Sequence, residues 1–141
     1  MPTMQFSAAT PEGAVADEEV ESVTVPTADG EITVLPNHIP LVSVVVPGVI
    51  TARTKEAERH YAVSGGFLEV GKNGVTVLAD TAERADDIDV ARAEKARQRA
   101  EDLMDGKHER EEMADATATL ARSLARIKAV EMVKHRRKRQ G

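Results

Sequence analysis

Residues 61–80 read YAVSGGFLEVGKNGVTVLAD, and this stretch decides the fold of the N-terminal half. Two runs of branched and polar residues flank GKNG, in which Asn73-Gly74 is a strong signal for a β-hairpin turn. The runs ESVTVPT (21–27) and GEITVLP (30–36) show similar alternation, with turn signals between them. Strand-length runs about ten residues apart, with no amphipathic helix among them, are typical of an all-β sandwich or flattened barrel.

The pattern changes after residue 84, where helix-forming residues replace the strand-like alternation. Residues 88–104 are rich in Ala, Glu, Arg and Lys, and aspartates at 86, 87 and 89 lie where the positive end of a helix dipole favours acids. Asp105-Gly106 interrupts this helix, and a second helix of about 35–40 Å is predicted from about Glu111. Its period is marked by Met113, Thr117, Leu120, Leu124, Ile127, Val130 and Val133. We therefore predict an all-β sandwich over residues 1–84 and an α-helical hairpin with a basic tail over 85–141.

The predicted hairpin has few large apolar side chains with which to form a core. Its first helix offers chiefly Ile88, Leu103 and Met104, with alanines between them. Burial contributes about 25 cal/mol per Å² of apolar surface, so packing between alanines recovers little of the entropy cost of ordering the chain. We expect a marginally stable element whose arrangement a ligand or partner can reset.

Charge is divided unevenly along the chain, although the net value is only −5. Residues 1–84 carry twelve acidic and five basic side chains, whereas residues 117–141 carry eight basic side chains and the single acid Glu131. This asymmetry predicts that the C-terminal end meets a negatively charged partner. No aromatic residues that could stack on bases are interleaved with the basic ones, so an acidic protein surface is favoured over nucleic acid or anionic lipid.

Catalytic signatures are missing from the sequence. It has no cysteine, no G-x-x-x-x-G-K-[ST] or G-x-G-x-x-G phosphate loop, and no G-x-S-x-G nucleophile motif. His108-Glu109 is not followed by a second histidine at zincin spacing, and no metal site is predicted. The four histidines, at positions 38, 60, 108 and 135, are scattered, and we expect each to lie on the solvated surface. The chain is not expected to be an enzyme.

Four arginines of the predicted hairpin form the best candidate for a binding site. Arg92 and Arg99 share a face of the first helix, and Arg122 and Arg126 share a face of the second. If the hairpin closes, these guanidinium groups could converge on one anion, and guanidinium groups are well suited to phosphate oxygens. The alternative is that they pair with acids such as Glu94 and Glu101 on a solvated face, and spacing alone leaves both interpretations open.

Four stretches carry a resemblance that extends over about residues 3–133: TPEG near the start, DGEITVLPNHIPLVSVVVPGVI, YAVSGGFLEV and GVTVLADTAERADDID. In this order they resemble the epsilon subunit of the bacterial F-type (rotary) ATP synthase. The resemblance implies a sandwich bound to the gamma subunit and to the membrane rotor ring of c subunits, on the cytoplasmic face of the cell membrane as part of a peripheral complex. It also implies a hairpin that permits turnover when folded down and blocks ATP hydrolysis when extended towards the alpha and beta subunits of the catalytic head.

The resemblance further implies a site for ATP, held as a regulatory ligand and not hydrolysed by this chain. Some bacterial epsilon subunits carry an I/L-D-x-x-R-A motif that binds ATP, and here it reads Ile88-Asp89-Val90-Ala91-Arg92-Ala93. The implied nucleotide-binding set is Glu83, Ile88, Asp89, Arg92, Ala93, Arg99, Arg122 and Arg126. The segment from Glu83 to Asp89 and Ala93 would contact adenine, and the arginines would bind the phosphates. The sequence leaves a requirement for magnesium open.

The loop within GEITVLPNHIP departs from the family, which often has Phe-Gly and a glycine before the histidine. Asn37 can adopt the left-handed geometry that a glycine would supply, whereas Thr33 cannot do so easily. Glu31 and His38 match positions that face the rotor ring in the family, and plain loop polarity is the alternative explanation. A free-standing adaptor with a basic helical arm that binds acidic protein or nucleic acid is the alternative function.

Overall fold

The computed structural model describes residues 2–106 and 109–140, with side chains described through residue 135. Ten strands come first: β1 (Met4–Thr10), β2 (Gly13–Val20), β3 (Ser22–Thr27), β4 (Gly30–Val34), β5 (Leu41–Val45), β6 (Gly48–Arg53), β7 (Glu58–Val63), β8 (Gly66–Gly71), β9 (Gly74–Ala79) and β10 (Ala82–Arg84). A 3-10 turn (Ala85–Asp87) leads to the helices α1 (Val90–Met104) and α2 (Arg110–Gln140). The predicted fold class is confirmed.

The strands form one sheet in the order β10-β7-β6-β3-β5-β8-β9-β1-β2, with β4 paired to β3. Neighbouring strands are antiparallel except β1 and β9, which run parallel. The sheet curls so that β10 lies against β1 and β2, and Arg59 on β7 donates a hydrogen bond to Glu18 on β2 across this seam. The result is a flattened sandwich whose inner faces enclose the core.

The core of the sandwich is made almost entirely of aliphatic side chains, as the low aromatic content requires. Its largest fully buried members are Phe6, Ile50 and Leu68, surrounded by valines. The ring of Phe6 meets the ring of Tyr61 edge-on at a centroid distance of 6.0 Å. Burial raises the pKa of Tyr61 above its ordinary value, and the nearby guanidinium groups of Arg84 and Arg59 partly offset that rise.

Backbone geometry at two turns explains residues that the sequence singled out. Gly74 has φ of +155°, and a Cβ there would lie 2.0 Å from the carbonyl oxygen of Gln5, so glycine is required for the close approach of β1 and β9. Asn37 has φ of 67°, so it adopts the left-handed conformation that we expected of it. Thr33 stays in extended β4, where its hydroxyl lies 2.9 Å from that of Thr24.

The helices form the predicted hairpin, which begins with an N-cap at Asp89. Its carboxylate accepts a hydrogen bond of 3.1 Å from the backbone N–H of Arg92. Helix α2 has 31 residues and is therefore about 46 Å long, longer than expected because it continues through the basic residues to Gln140. Within the described parts of the chain, no helix combines the length and apolar character needed to cross a bilayer.

The hairpin packs on the outer face of β6 and β7 through a second apolar cluster, separate from the sandwich core. Val49 and Ala62 from the sheet meet Ile88, and α2 contributes Ala125 and Ala129. Small residues also carry the contact between the helices, because Ala93, Ala100 and Ala116 are buried. By contrast Leu124, one of the residues that marked the helical period, is 47% exposed. The structure thus agrees with the expected alanine packing.

The expectation that every histidine lies on the surface is wrong for His60. This residue of β7 is 4% exposed, and its Nδ1 lies 3.1 Å from the hydroxyl of Thr51 on β6. Alternation along β7 directs His60 to the same face as Ala62, where α2 packs against the strand and excludes solvent. His135 is exposed and His38 is partly exposed, while His108 lies outside the described residues.

Candidate functional site

A cavity of about 490 Å³ lies where the hairpin meets the edge of the sandwich. Three parts of the chain form its walls: the sandwich, α1 and α2. The sandwich contributes Glu12, Ala62, Val63, Ser64, Thr81, Ala82 and Glu83, α1 contributes Ala96, and α2 contributes Thr119, Arg122, Ser123 and Arg126. Because no single element forms this cavity, it exists only while the hairpin is docked.

An ion pair between Glu83 and Arg126 crosses the cavity wall and joins β10 to α2. The Nε–H of Arg126 donates to the Oε2 of Glu83 at 2.7 Å. Both side chains are about one-third exposed, so solvent screens the pair and its contribution to stability is on the order of 1 kcal/mol or less. The contact fixes the orientation of the guanidinium group more than it stabilises the fold.

Arg122 lies one helical turn before Arg126 and lines the same cavity. Its Nη2 donates a 3.2 Å hydrogen bond to the hydroxyl of Thr119. Two guanidinium groups on one face of α2 can bind oxygen atoms of a phosphate chain. The carboxylates of Glu83 and Glu12 line the same cavity, so the ionised side chains in its wall balance in charge.

The residues of the I-D-x-x-R-A motif have clear structural roles in the docked hairpin. Ile88 belongs to the second apolar cluster, Asp89 caps α1, and Ala93 is completely buried. Arg92 is exposed and does not line the cavity. With Ala93 covered, a ligand would reach it only after a local shift of α1, so the contact of this motif with adenine stays a prediction.

The four arginines proposed from the sequence occupy different surroundings. Arg122 and Arg126 share the cavity, whereas Arg99 lines an adjoining apolar groove of about 370 Å³ between the helices. Ala96 and Thr119 line both spaces, so the two are neighbours. Within the part of the chain whose side chains are described, the guanidinium groups of Arg92 and Arg99 form no hydrogen bond or ion pair.

The alternative interpretation was that the four arginines pair with acids such as Glu94 and Glu101. These two acids do form ion pairs, but with Arg97. Arg97 lies 2.7 Å from Glu94 and 3.7 Å from Glu101 along the exposed side of α1. Arg97 satisfies these acids, which leaves Arg92 and Arg99 of the same helix with their guanidinium groups in solvent.

The two residues predicted to face the rotor ring lie on separate elements. Glu31 is exposed on β4, where it pairs with Pro26 of β3. His38 follows in the next loop, and its Nδ1 lies 2.8 Å from the carbonyl oxygen of Ile39. Both are accessible to a partner, and their contact with the rotor ring stays a prediction.

An exposed apolar row crosses the outer face of the sheet, and sequence reasoning missed it. Val44, Phe67 and Leu78 are direct cross-strand neighbours on β5, β8 and β9, and each is about half or more exposed. Strand register continues the row to Ala9 on β1 and Ala14 on β2. The signal was present in the uninterrupted run of valines at 44–46, because β5 is apolar on both faces. Monomeric surfaces rarely carry such patches without a partner.

No group of three or more His, Cys, Asp or Glu side chains that could hold a metal ion occurs within the described residues. The polar chemistry of the cavity is therefore that of guanidinium, carboxylate and hydroxyl groups. Together the fold and the cavity define a class of protein in which a helical hairpin folds back on a β-sandwich and leaves a cavity lined by two arginines at the junction.

Comparison with known families places the chain more closely. The model of the ATP synthase delta/epsilon chain β-sandwich domain matches residues 3–85, and the model of the long α-helix domain of the same chain matches residues 86–131. The chain belongs to the ATP synthase delta/epsilon family. It is similar to bacterial ATP synthase epsilon chains, which are non-catalytic subunits of the central stalk of that complex.

Similarity to individual relatives extends over nearly the whole chain. The chain is 43% identical to the ATP synthase epsilon chain of Herpetosiphon aurantiacus, over 94% of this chain and 98% of the relative. It is 45% identical to that of Moorella thermoacetica, over 92% and 97%. Among solved structures, a chain of the Euglena gracilis mitochondrial ATP synthase (OSCP, F1 and c-ring) has a TM-score of 0.79 at 22% identity, over 96% of this chain and 84% of that one. At this identity the structural match supports the fold alone.

Proposed function

We propose that this chain regulates a rotary ATP synthase through an ATP molecule bound where its hairpin meets the sandwich. The cavity shared by β10, α1 and α2 carries this proposal, because a ligand there contacts elements that separate when the hairpin opens. A ligand that binds only the docked form stabilises it by about 2.7 kcal/mol at a concentration one hundred times its dissociation constant. ATP therefore holds the hairpin down.

Arg122 and Arg126 bind the phosphates in this proposal. Their position on one face of α2, with Arg126 oriented by Glu83, places two guanidinium groups in a partly enclosed space where charge is screened less than in bulk water. The carboxylates of Glu83 and Glu12 compete with phosphate for these cations, which weakens binding and raises the ATP concentration needed to fill the site.

When ATP is scarce, the hairpin undocks and α2 extends towards the alpha and beta subunits of the catalytic head, where it blocks ATP hydrolysis. Its length of about 46 Å and the excess of basic residues over positions 117–141 support this arrangement. The packing of the hairpin on the sheet supports it as well. Its buried contacts include Ile88, Ala125 and Ala129, while Val130, Met132 and Val133 are only partly buried against them. An interface of this kind opens at a lower free-energy cost than the larger sandwich core would.

The sandwich holds the chain in the central stalk. We assign the exposed apolar row of Val44, Phe67 and Leu78 to contact with the gamma subunit, because it is flat, continuous and apolar. Glu31 and His38 are assigned to contact with the rotor ring of c subunits. This arrangement makes the chain a peripheral component on the cytoplasmic face of the bacterial cell membrane, and nucleic acid has no part in it.

Calorimetric titration of the full chain with ATP tests the proposal. We expect saturable binding, and Arg126→Ala should weaken it about 10- to 150-fold, the equivalent of about 1.5–3 kcal/mol for hydrogen bonds to a charged group. Arg97→Ala is the matched control, because it removes a guanidinium group whose partners are Glu94 and Glu101 on its own helix. Absence of binding by the unsubstituted chain up to millimolar ATP, or equal losses in both variants, would refute the nucleotide site.

A further inference from the structure

Ser123 is an unusual residue in the buried face of α2. Other buried positions of this helix are alanines, at 116, 125 and 129, whereas Ser123 is 2% exposed and carries a hydroxyl group. A serine within a helix often donates to the carbonyl oxygen four residues earlier, as Thr117 does to Met113 at 2.8 Å. Among the described residues, the hydroxyl of Ser123 forms no hydrogen bond.

The small surface that Ser123 retains opens into the cavity that contains Arg122 and Arg126. The hydroxyl group of Ser123 can form hydrogen bonds with whatever fills the cavity, whereas alanine, the residue at the other buried positions of α2, would fill the same space without a polar group. Ser123 and Arg126 are three residues apart, so their side chains lie on one face of the helix. A ligand bound by these arginines therefore lies within reach of the hydroxyl.

We infer that Ser123 is a further binding residue of this site, whose hydroxyl donates a hydrogen bond to a phosphate oxygen of the nucleotide. The inference rests on the proposed function and adds a residue to the implied set. We expect the hydroxyl to bind a phosphate and not the base, because Ser123 lies between Arg122 and Arg126 in the sequence of α2 and all three residues line the cavity. The hydroxyl thus supplies a neutral donor in the cavity that these two charged donors line.

The test compares Ser123→Ala with the unsubstituted chain in titrations with ATP and with inorganic tripolyphosphate. We expect both ligands to bind about tenfold more weakly to Ser123→Ala, as for loss of one hydrogen bond to a charged acceptor. Thermal unfolding without ligand should occur at a nearly unchanged temperature, because the hydroxyl forms no hydrogen bond within the described protein. Thr117→Ala is the control, since it removes a hydroxyl from the same helix outside the cavity.

Each outcome decides the inference. The inference is overturned if Ser123→Ala and the unsubstituted chain bind both ligands with equal affinity. It is also overturned if Ser123→Ala binds ATP more weakly but binds tripolyphosphate as well as before, because the hydroxyl would then contact the nucleoside and not a phosphate. A lower unfolding temperature with unchanged affinity would assign Ser123 to packing alone. If the unsubstituted chain binds neither ligand, the proposed function fails and the inference with it, whereas the other results leave the proposed function standing.

Discussion

Replacing Ile88 by alanine should release the hairpin while leaving the sandwich folded. Ile88 is 9% exposed and is the largest side chain that the hairpin's N-terminal end contributes to the second apolar cluster. Alanine removes three buried carbon atoms, at about 0.8 kcal/mol each, and the edge of the cluster can partly relax. We therefore expect a loss of about 2–3 kcal/mol, at the low end for core truncations. The population of the undocked hairpin should rise about 30- to 150-fold.

Native-state hydrogen exchange measures this change residue by residue. Backbone amides of α2 near Ala125 and Ala129 should exchange about 30- to 150-fold faster in Ile88→Ala, while amides of β8 and β9 should keep their protection, because the sandwich core is a separate cluster. Leu103→Ala is the control, since Leu103 is 42% exposed and its loss should change α2 little. Unchanged exchange of α2, or an equal loss of protection in β8 and β9, would refute the claim that Ile88 anchors the hairpin.

Further substitutions test the cap, the core and the outer face. Asp89→Ala removes the N-cap of α1 and should lower hairpin stability by about 1 kcal/mol, seen as faster exchange in the first turn of α1. Because burial raises the pKa of Tyr61, its contribution to folding is full below pH 10 and is lost as pH rises through the folded value, so denaturant titrations of Tyr61→Phe from pH 9 to 11 should show a smaller alkaline loss of stability. An equal loss of stability at alkaline pH in Tyr61→Phe and in the unsubstituted chain would contradict a raised pKa of Tyr61. Phe67→Ser should weaken binding to an isolated gamma subunit at least tenfold without changing ATP affinity, and unaltered gamma binding would remove the apolar row as the contact.

Local signals made much of the fold predictable. The β8–β9 hairpin follows from Asn73-Gly74 and its flanking branched residues, and the left-handed Asn37 follows from residue type alone. Strands β1 and β2 were not singled out, because MQFSAATPEGAVADEEV alternates weakly and β1 pairs in parallel with β9, far along the chain. Pairings of that kind depend on the closure of the sheet and leave little local signal.

The burial and contacts of individual side chains were harder to predict than the helices and strands. The period of α2 was visible, but the helix approaches the sheet through Ala125 and Ala129, so Leu124 on a neighbouring face is left in solvent. His60 gave no sign of burial, because alternation along β7 places it on the face that α2 packs against, and α2 is remote in sequence. Small residues allow a close approach that a search for large apolar side chains overlooks.

In the candidate site, too, contacts between residues close in sequence were predictable, whereas contacts between residues far apart in sequence were not. Spacing alone placed Arg122 and Arg126 together, and the structure brings both into one cavity. Glu83, the partner of Arg126, lies 43 residues before it and was named only through the family resemblance. Spacing also suggested that Arg99 joins them, but the structure places Arg99 in the adjoining groove. Ser123 carried no sequence signal, because its role depends on the absence of a hydrogen bond that only the fold reveals.

The most direct test of the account measures how ATP changes the docking of α2. Hydrogen exchange of the α2 amides between Ala116 and Ala129 should be followed over an ATP titration of the full chain. We predict that exchange slows in proportion to one plus the ratio of ATP concentration to its dissociation constant, reaching about 100-fold when that ratio is about 100. Arg126→Ala, which binds ATP about 10- to 150-fold more weakly, should reduce this slowing to between about 2- and 11-fold over the same concentrations. Exchange of α2 that stays constant while calorimetry shows saturated ATP binding would contradict the claim that the nucleotide holds the hairpin on the sandwich.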